Sequence, residues 1–320
     1  LVRDMESFAA GAMHQATYDI RYRVGERDFA GPMDEHSRIN INRADGATFS
    51  LFEDITPDVV AAIEDWRDPN DDASLLGAES DWYLSLESPY EPRNGDFRSV
   101  TEMELVAGVG PMDMRGEDWN LNYRLDPNED DGDRSFPYDE PDGYMETGWG
   151  GYLTAHSREG GATATGLPRI YLRFAEPWEL QERIGLTEPQ ASLIIEFGKR
   201  SGNSLVQLVT TPLSHITANG VISGPDANPS IQELTDDQLR LVLSELSTEA
   251  LYERSPGRVN LNTASEELIE DMLLAREIDE AVIDEIIYMR NSRAEGLTSI
   301  VDLRDIPNMQ PELLEQLADL

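Results

Sequence analysis

A short stretch of this 320-residue chain concentrates the side chains that bind hard metal ions. Seven carboxylate or amide residues fall between positions 65 and 81: Asp65, Asp68, Asn70, Asp71, Asp72, Glu79 and Asp81. Counted from Asp68, oxygen-bearing side chains occupy positions 1, 3 and 5, and Glu79 occupies position 12. This is the ligand spacing of an EF-hand loop, in which a bidentate glutamate closes a cage of oxygen atoms around calcium.

The residues around this stretch modify that interpretation. Position 6 of the loop is Ala73, where an EF-hand needs glycine for its sharp turn, so a regular EF-hand is not expected. Trp66, Trp82 and Tyr83 flank the acidic run, and apolar surroundings make unpaired carboxylates costly unless a cation neutralises them. The sequence therefore predicts a calcium site of irregular form, and the alternative is a solvated acidic loop.

A second acidic stretch runs from Asp126 to Asp142. It places Asp126, Asn128 and Asp130 at positions 1, 3 and 5, but Pro137 stands where the closing acid would be. Its glycines and prolines are typical of a flexible loop. We expect a solvated loop here, with a second cation site as the alternative.

The charge of the chain argues against nucleic acid as a partner. There are 63 Asp and Glu against 25 Lys and Arg, a formal net charge of −38. Binding nucleic acid needs a concentrated basic surface, so nucleic acid is not an expected partner. The absence of cysteine excludes disulfides and thiol catalysis.

Residues for catalysis are not apparent. The four histidines, at positions 14, 36, 156 and 215, lack the spacing of metal ligands. No nucleophile elbow, P-loop or dinucleotide-binding fingerprint occurs. We therefore predict no catalytic residues, no organic cofactor and no enzyme activity, and we keep a secreted calcium-dependent hydrolase fragment as an alternative.

A repeated phrase indicates how the chain is organised. An Arg-apolar-x-apolar-x-x-Ala frame occurs three times, at Arg38–Ala44, Arg169–Ala175 and Arg258–Ala264. The alternating apolar residues predict a short extended segment with one buried face, and about 25 residues of helical periodicity follow each copy. The three units therefore predict helix-hairpin-helix-like repeats.

Several helix starts within these units can be predicted. Thr56-Pro57 is typical of an N-cap followed by proline at the first helical position. Thr263 with Glu266 fits a capping box, and Ser99 and Ser299 each precede a further helix start.

Helix-hairpin-helix modules often hold DNA, but these hairpins do not favour that function. Glycine at the hairpin lets backbone N–H groups approach phosphate. Residues 54–57 and 277–280 lack glycine and carry carboxylates, and only Gly108-Val109-Gly110-Pro111 offers a glycine pair. A nucleic-acid-binding protein of this class stays an alternative.

The N-terminal residues predict a helix followed by strands. Leu1, Val2, Met5, Phe8, Ala9 and Met13 are spaced like the tail of an amphipathic helix. Ala16–Val24 alternates like a strand and is followed by a turn at Gly25–Asp28. Both chain ends fall within helical periodicity, so we expect a fragment of a longer protein.

A family resemblance rests on several long motifs: Asp65-Trp66-x-Asp68-x-x-Asp71, Gly77-Ala78-Glu79-x-Asp81-x-Tyr83-Leu84, Pro89-Tyr90-x-x-Arg93-Asn94, Ser99-Val100-x-Glu102-Met103, and Pro256 through Ser265. With these motifs the chain resembles general secretion pathway protein K, the large minor pseudopilin of the type II secretion system. The resemblance spans Tyr18–Val109 and resumes from Pro256 to Ile306.

The resemblance implies an α+β fold: a pseudopilin-type N-terminal helix, here a remnant, on a small antiparallel sheet, with a large inserted helical domain. It implies calcium ligation by Asp65, Asp68, Asp71, Glu79 and Asp81. It also implies a place at the pseudopilus tip, with I- and J-type minor pseudopilins as partners. The full-length protein would be anchored by the missing helix at the periplasmic face of the inner membrane.

The expected domain organisation has four parts. Residues 1–37 would hold the helix remnant and first strands, and 38–125 the first helical lobe with the calcium loop. Residues 126–257 would hold the second acidic loop, extra strands and a middle repeat, and 258–320 the third repeat. The middle repeat, roughly 148–248, is longer than the family arrangement implies.

Overall fold

The chain folds into two compact units, each assembled from separate segments. The computed structural model describes residues 10–13, 16–24, 27–49, 51–52, 55–163, 165–222, 228–250 and 255–319. The first unit consists of Val2–Ser157 and Pro256–Ile283, and the second of Arg158–Ser255 and Asp284–Leu320. Helices and small sheets are mixed, so the predicted α+β class is confirmed.

Helices account for most of the regular structure. The α-helices are α1 Gly46–Phe49, α2 Pro57–Arg67, α3 Ser80–Tyr83, α4 Pro111–Arg115, α5 Pro177–Ile184, α6 Glu188–Gly198, α7 Gln207–Thr210, α8 Asp236–Glu245, α9 Glu266–Leu274, α10 Glu280–Ser292 and α11 Pro311–Asp319. Short 3₁₀ helices span Glu35–Ser37, Val100–Leu105, Gly132–Arg134, Trp149–Gly151, Leu213–His215 and Ile300–Asp305. Among the described residues, no helix combines the length and apolar character needed to cross a membrane.

The strands are short: β1 Ala10–Met13, β2 Ala16–Asp19, β3 Arg21–Val24, β4 Arg27–Ala30, β5 Ile39–Asn40, β6 Leu153–Thr154, β7 Arg158–Glu159, β8 Ile170–Tyr171, β9 Ile216–Thr217, β10 Gly220–Val221, β11 Leu246–Ser247 and β12 Ser255–Pro256. Antiparallel pairing joins β1 to β2, β3 to β4 and β9 to β10. Parallel pairing joins β5 to β6 and β8 to β11. The antiparallel sheet expected near the N-terminus thus takes the form of two separate hairpins in the described residues.

The predicted N-terminal helix is wrong for its last four residues. Ala10–Met13 forms β1, with Ala10 opposite Asp19 and Met13 opposite Ala16. Gly11 lies inside this segment, and glycine costs about 1 kcal/mol relative to alanine within a helix. The remainder of the predicted helix, Leu1–Ala9, lies outside the described residues. The hairpin predicted just after it is present as β3 and β4.

The three repeated phrases differ in their burial. Ile39 and Ile41 are buried in the first copy, and Ile170 and Leu172 in the second, as predicted. In the third copy, where all residues are described, Val259 and Leu261 are only partly buried and form no strand. That prediction is wrong because the intervening Asn260 is the buried side chain, and its Nδ2 donates to Asp34 Oδ2 at 2.9 Å.

The helix starts follow the capping residues in most places. Helix α2 begins at Pro57 after Thr56, and the 3₁₀ helices after Ser99 and Ser299 are both capped by the serine side chain. The capping box predicted at Thr263 is wrong, since Ser265 Oγ accepts a hydrogen bond from Leu268 N at the start of α9. Thr263 Oγ1 instead donates to Asp34 Oδ2 at 2.8 Å.

The second unit has its own apolar core. Helices α5, α6 and α8 contribute buried aliphatic side chains, and Phe197 is its fully buried aromatic residue. Asp302 is buried in this unit and accepts hydrogen bonds from Arg240 Nη2 at 2.8 Å and from Thr298 N at 2.8 Å. This carboxylate joins α8 to the 3₁₀ helix at Ile300–Asp305.

Candidate metal centre

An aromatic core in the first unit positions the acidic stretch. Trp66, on the buried face of α2, meets Tyr83 of α3 edge-on, with ring centroids 5.3 Å apart. It also stacks on Phe97 at 6.2 Å. Asp65 immediately precedes Trp66, and Glu79 immediately precedes α3. Burial of the aromatic rings therefore draws both carboxylates inward along with their backbone.

Three carboxylates meet at this point. Asp65, Asp68 and Glu79 each offer an oxygen atom, and these three atoms all lie within 4.8 Å of one another. Asp65 and Glu79 are each only 3% exposed, and Asp68 is half-buried at the C-terminal end of α2. In the part of the chain that the structure describes, this is the one group of three or more side chains arranged to hold a metal ion. We call these three residues the carboxylate cluster.

Glu79 is the residue that most needs a cation. Among the described residues, no donor reaches either of its buried carboxylate oxygens. Burial, together with the negative charges of Asp65, Asp68 and Asp71, raises the pKa of Glu79 to about 7. A protonated Glu79 could also donate towards Asp71, which favours the neutral form further, because two ionised carboxylates can only accept. A nearby cation would reverse these effects and favour the ionised form.

The backbone of the loop at residues 74–77 packs closely against the Asp65 carboxylate. Ser74 N donates to Asp65 Oδ2 at 3.1 Å, and Gly77 N donates to Ser74 O at 3.1 Å. A Cβ atom on Gly77 would lie 1.9 Å from the same Asp65 oxygen. Only glycine leaves room for this approach.

The other four candidate ligands lie outside the cluster. Asp71 is exposed, and the side chain and backbone N of Ser80, the latter at 3.3 Å, both lower its pKa, although its charge still acts on Glu79. Asn70 Oδ1 accepts from Asp72 N at 2.8 Å, and Asp72 and Asp81 are exposed. The EF-hand spacing therefore identifies Asp68 and Glu79 correctly. At position 3, Asn70 stabilises the turn by its hydrogen bond, and at position 5, Asp72 is exposed to solvent.

The second acidic stretch is more ordered than the sequence predicted. Glu129 is fully buried and accepts hydrogen bonds from Trp119 N at 3.0 Å and Asp126 N at 3.1 Å. Asp118 is buried and accepts from Asn122 N and Tyr123 N. A solvated loop is therefore wrong for Glu129, whose carboxylate organises the backbone around it.

Comparison with protein families places the carboxylate cluster in a known domain. Residues 47–116 match the family model of type II secretion system (T2SS), protein K. This segment of the chain is therefore similar to protein K of the type II secretion system. The resemblance found in the sequence is thereby confirmed over residues 47–116, and Asp65, Asp68 and Glu79 all lie within the matched residues. No curated protein matches the chain.

The match of residues 47–116 supports a role in type II secretion, a system of the cell envelope. The protein K family is a secretion component and generally not an enzyme. Its members act together with other components of the secretion system.

Proposed function

We propose that the chain is a minor pseudopilin at the tip of the type II secretion pseudopilus, a non-catalytic assembly component that holds calcium in its carboxylate cluster. The observation that carries the calcium proposal is Glu79, a buried carboxylate without a donor, beside two further carboxylates in the protein K segment. Calcium prefers such hard oxygen ligands.

The cluster suits a structural role for the ion. Asp65 and Asp68 come from the C-terminal end of α2, and Glu79 from the start of α3. Bound calcium would supply the positive charge that these carboxylates lack. The three ligands would then hold the loop between Asp68 and Glu79 closed, and Asp65 would keep its hydrogen bond to Ser74 N.

Calorimetric titration with calcium tests this part of the proposal. We expect the unaltered chain to bind calcium, and Glu79→Gln to abolish binding while retaining nearly the same side-chain volume. Glu87→Gln is the matched control, because Glu87 is exposed eight positions further along. Equal binding by the Glu79 and Glu87 variants would show that the cluster is not the site.

The tip role requires partners of the same class. We propose that these are the I- and J-type minor pseudopilins, met at the periplasmic face of the inner membrane, where an N-terminal helix would anchor the full-length protein. Co-purification with tagged I- and J-type proteins tests this, with a major pseudopilin as the comparison. We expect capture by the minor pseudopilins; capture by neither would contradict the tip role and leave the calcium result unaffected.

A further inference from the structure

We call residues 117–146 the acidic lobe. Three aromatic side chains of this lobe lie in a row. Trp119 meets Phe136 edge-on, with ring centroids 4.6 Å apart, and Phe136 meets Tyr138 at 6.2 Å. Trp119 is partly buried, whereas Phe136 is 56% exposed and Tyr138 is 66% exposed. Two adjoining rings therefore face solvent in the first unit, on a lobe that lies entirely outside the segment matched to protein K.

The inner end of this row already binds a guanidinium group. Arg115 Cζ lies 5.0 Å from the centroid of the Trp119 ring. Arg115 Nε and Nη2 donate to the two carboxylate oxygens of Glu104 at 2.5 and 2.9 Å, and Nη1 donates to Trp119 O at 2.8 Å. Ring, carboxylate and guanidinium thus stabilise one another at this end.

The other end of the row, at Phe136 and Tyr138, also combines aromatic rings with nearby acidic residues in the sequence. The acidic lobe carries eleven carboxylates, of which Glu117, Asp118 and Glu129 are buried, and two arginines. Asp133 and Glu140 are exposed close in sequence to Phe136 and Tyr138, and so is one arginine, Arg134. The negative face of an aromatic ring attracts a cation, and carboxylates add to that attraction. The surface is therefore complementary to a positively charged partner.

The backbone beneath the rings is held by hydrogen bonds. Ser135 N and Oγ both donate to the Asp131 carboxylate, at 3.1 and 2.6 Å. Gly132 N donates to Asp139 Oδ1 at 2.8 Å, and Gly143 N donates to Asp130 Oδ1 at 3.0 Å. A surface fixed in advance loses less conformational entropy when a partner binds.

We propose that Phe136, Tyr138 and the carboxylates of the acidic lobe bind an arginine-bearing segment of a partner protein. Arginine suits the surface better than lysine, because its planar guanidinium both stacks on rings and pairs with carboxylates. A purely apolar partner would bury exposed carboxylates without compensation. Nucleic acid and anionic membrane carry the wrong charge.

The test is a fluorescence anisotropy titration with a labelled peptide of alternating arginine and glycine. Matched peptides replace every arginine with lysine or with glutamate. Calcium is kept in excess so that the carboxylate cluster does not attract the peptides. The variant protein carries Phe136→Leu with Tyr138→Leu, which removes both rings and retains apolar volume beside Trp119. The control is Tyr288→Leu, since Tyr288 is also 66% exposed but lies in the second unit.

We expect the arginine peptide to bind more tightly than the lysine peptide, and the glutamate peptide not to bind. Each exposed cation–π contact strengthens binding by a few-fold, so loss of two rings should weaken arginine-peptide binding roughly tenfold. Tyr288→Leu should leave binding unchanged. Equal affinity for the arginine and lysine peptides, or unweakened binding by the double variant, would overturn the proposal, as would an equal loss in the control.

Discussion

Replacing Glu79 with glutamine should stabilise the calcium-free protein, although it removes a proposed calcium ligand. In the absence of a cation, ionised Glu79 is buried with no donor and faces Asp65, Asp68 and Asp71. Glutamine has nearly the same shape and no charge, and its amide N–H groups can donate to the neighbouring carboxylates. The substitution therefore removes repulsion and adds donors at a site that has none.

The magnitude follows from the pKa of Glu79, which is raised from 4.5 to about 7. Each pKa unit corresponds to about 1.4 kcal/mol, so ionised Glu79 destabilises the fold by about 3 kcal/mol above neutral pH. The folded state binds the proton more tightly than the unfolded state. The contribution of Glu79 to the free energy of unfolding should therefore fall as pH rises from 4.5 to about 7.

The assay is urea unfolding in excess chelator at about pH 8 and about pH 5. At the higher pH, Glu79→Gln should raise the free energy of unfolding by up to about 3 kcal/mol, and at the lower pH the gain should shrink to about 1 kcal/mol. The exposed control, Glu87→Gln, should change little at either pH. A Glu79→Gln variant that is no more stable than this control at the higher pH would refute the reasoning.

Three further predictions follow from the geometry. Gly77→Ala should weaken calcium binding at least tenfold in calorimetry, because its methyl group would meet Asp65, whereas Gly95→Ala has space and should bind normally. Asp302→Ala should lower the free energy of urea unfolding by about 1–3 kcal/mol, because the backbone N–H groups at the helix start and the partly exposed Arg240 lose a hydrogen-bond acceptor; no measurable loss would contradict this. A labelled DNA duplex should not shift in a low-salt gel, and a salt-sensitive shift would restore a nucleic-acid role.

Local sequence rules predicted the elements that depend on nearby residues. Thr56-Pro57 marks the start of α2, and the alternation before Gly25 marks the β3–β4 hairpin. The carboxylate spacing predicted that Asp68 and Glu79 would be close, and they are. Each of these features is encoded within about a dozen residues, so a single sequence contains enough information to find it.

Features that depend on distant contacts could not be predicted in the same way. In the third repeat phrase the polar residue Asn260 is buried instead of its apolar neighbours, because it hydrogen-bonds to Asp34, more than 200 positions earlier. Glu129 is buried because it accepts from Trp119 N, a contact that its acidic surroundings do not reveal. The isolation of Glu79 from donors depends on how α2 and α3 meet, and the spacing of carboxylates does not report it.

The central proposal is that this chain, whose residues 47–116 match protein K, assembles with the I- and J-type minor pseudopilins. Size-exclusion chromatography with light scattering, on an equimolar mixture of the three proteins in calcium, measures this most directly. We predict one peak with the summed mass of one copy of each protein. Three separate peaks with the masses of the individual chains would contradict the account.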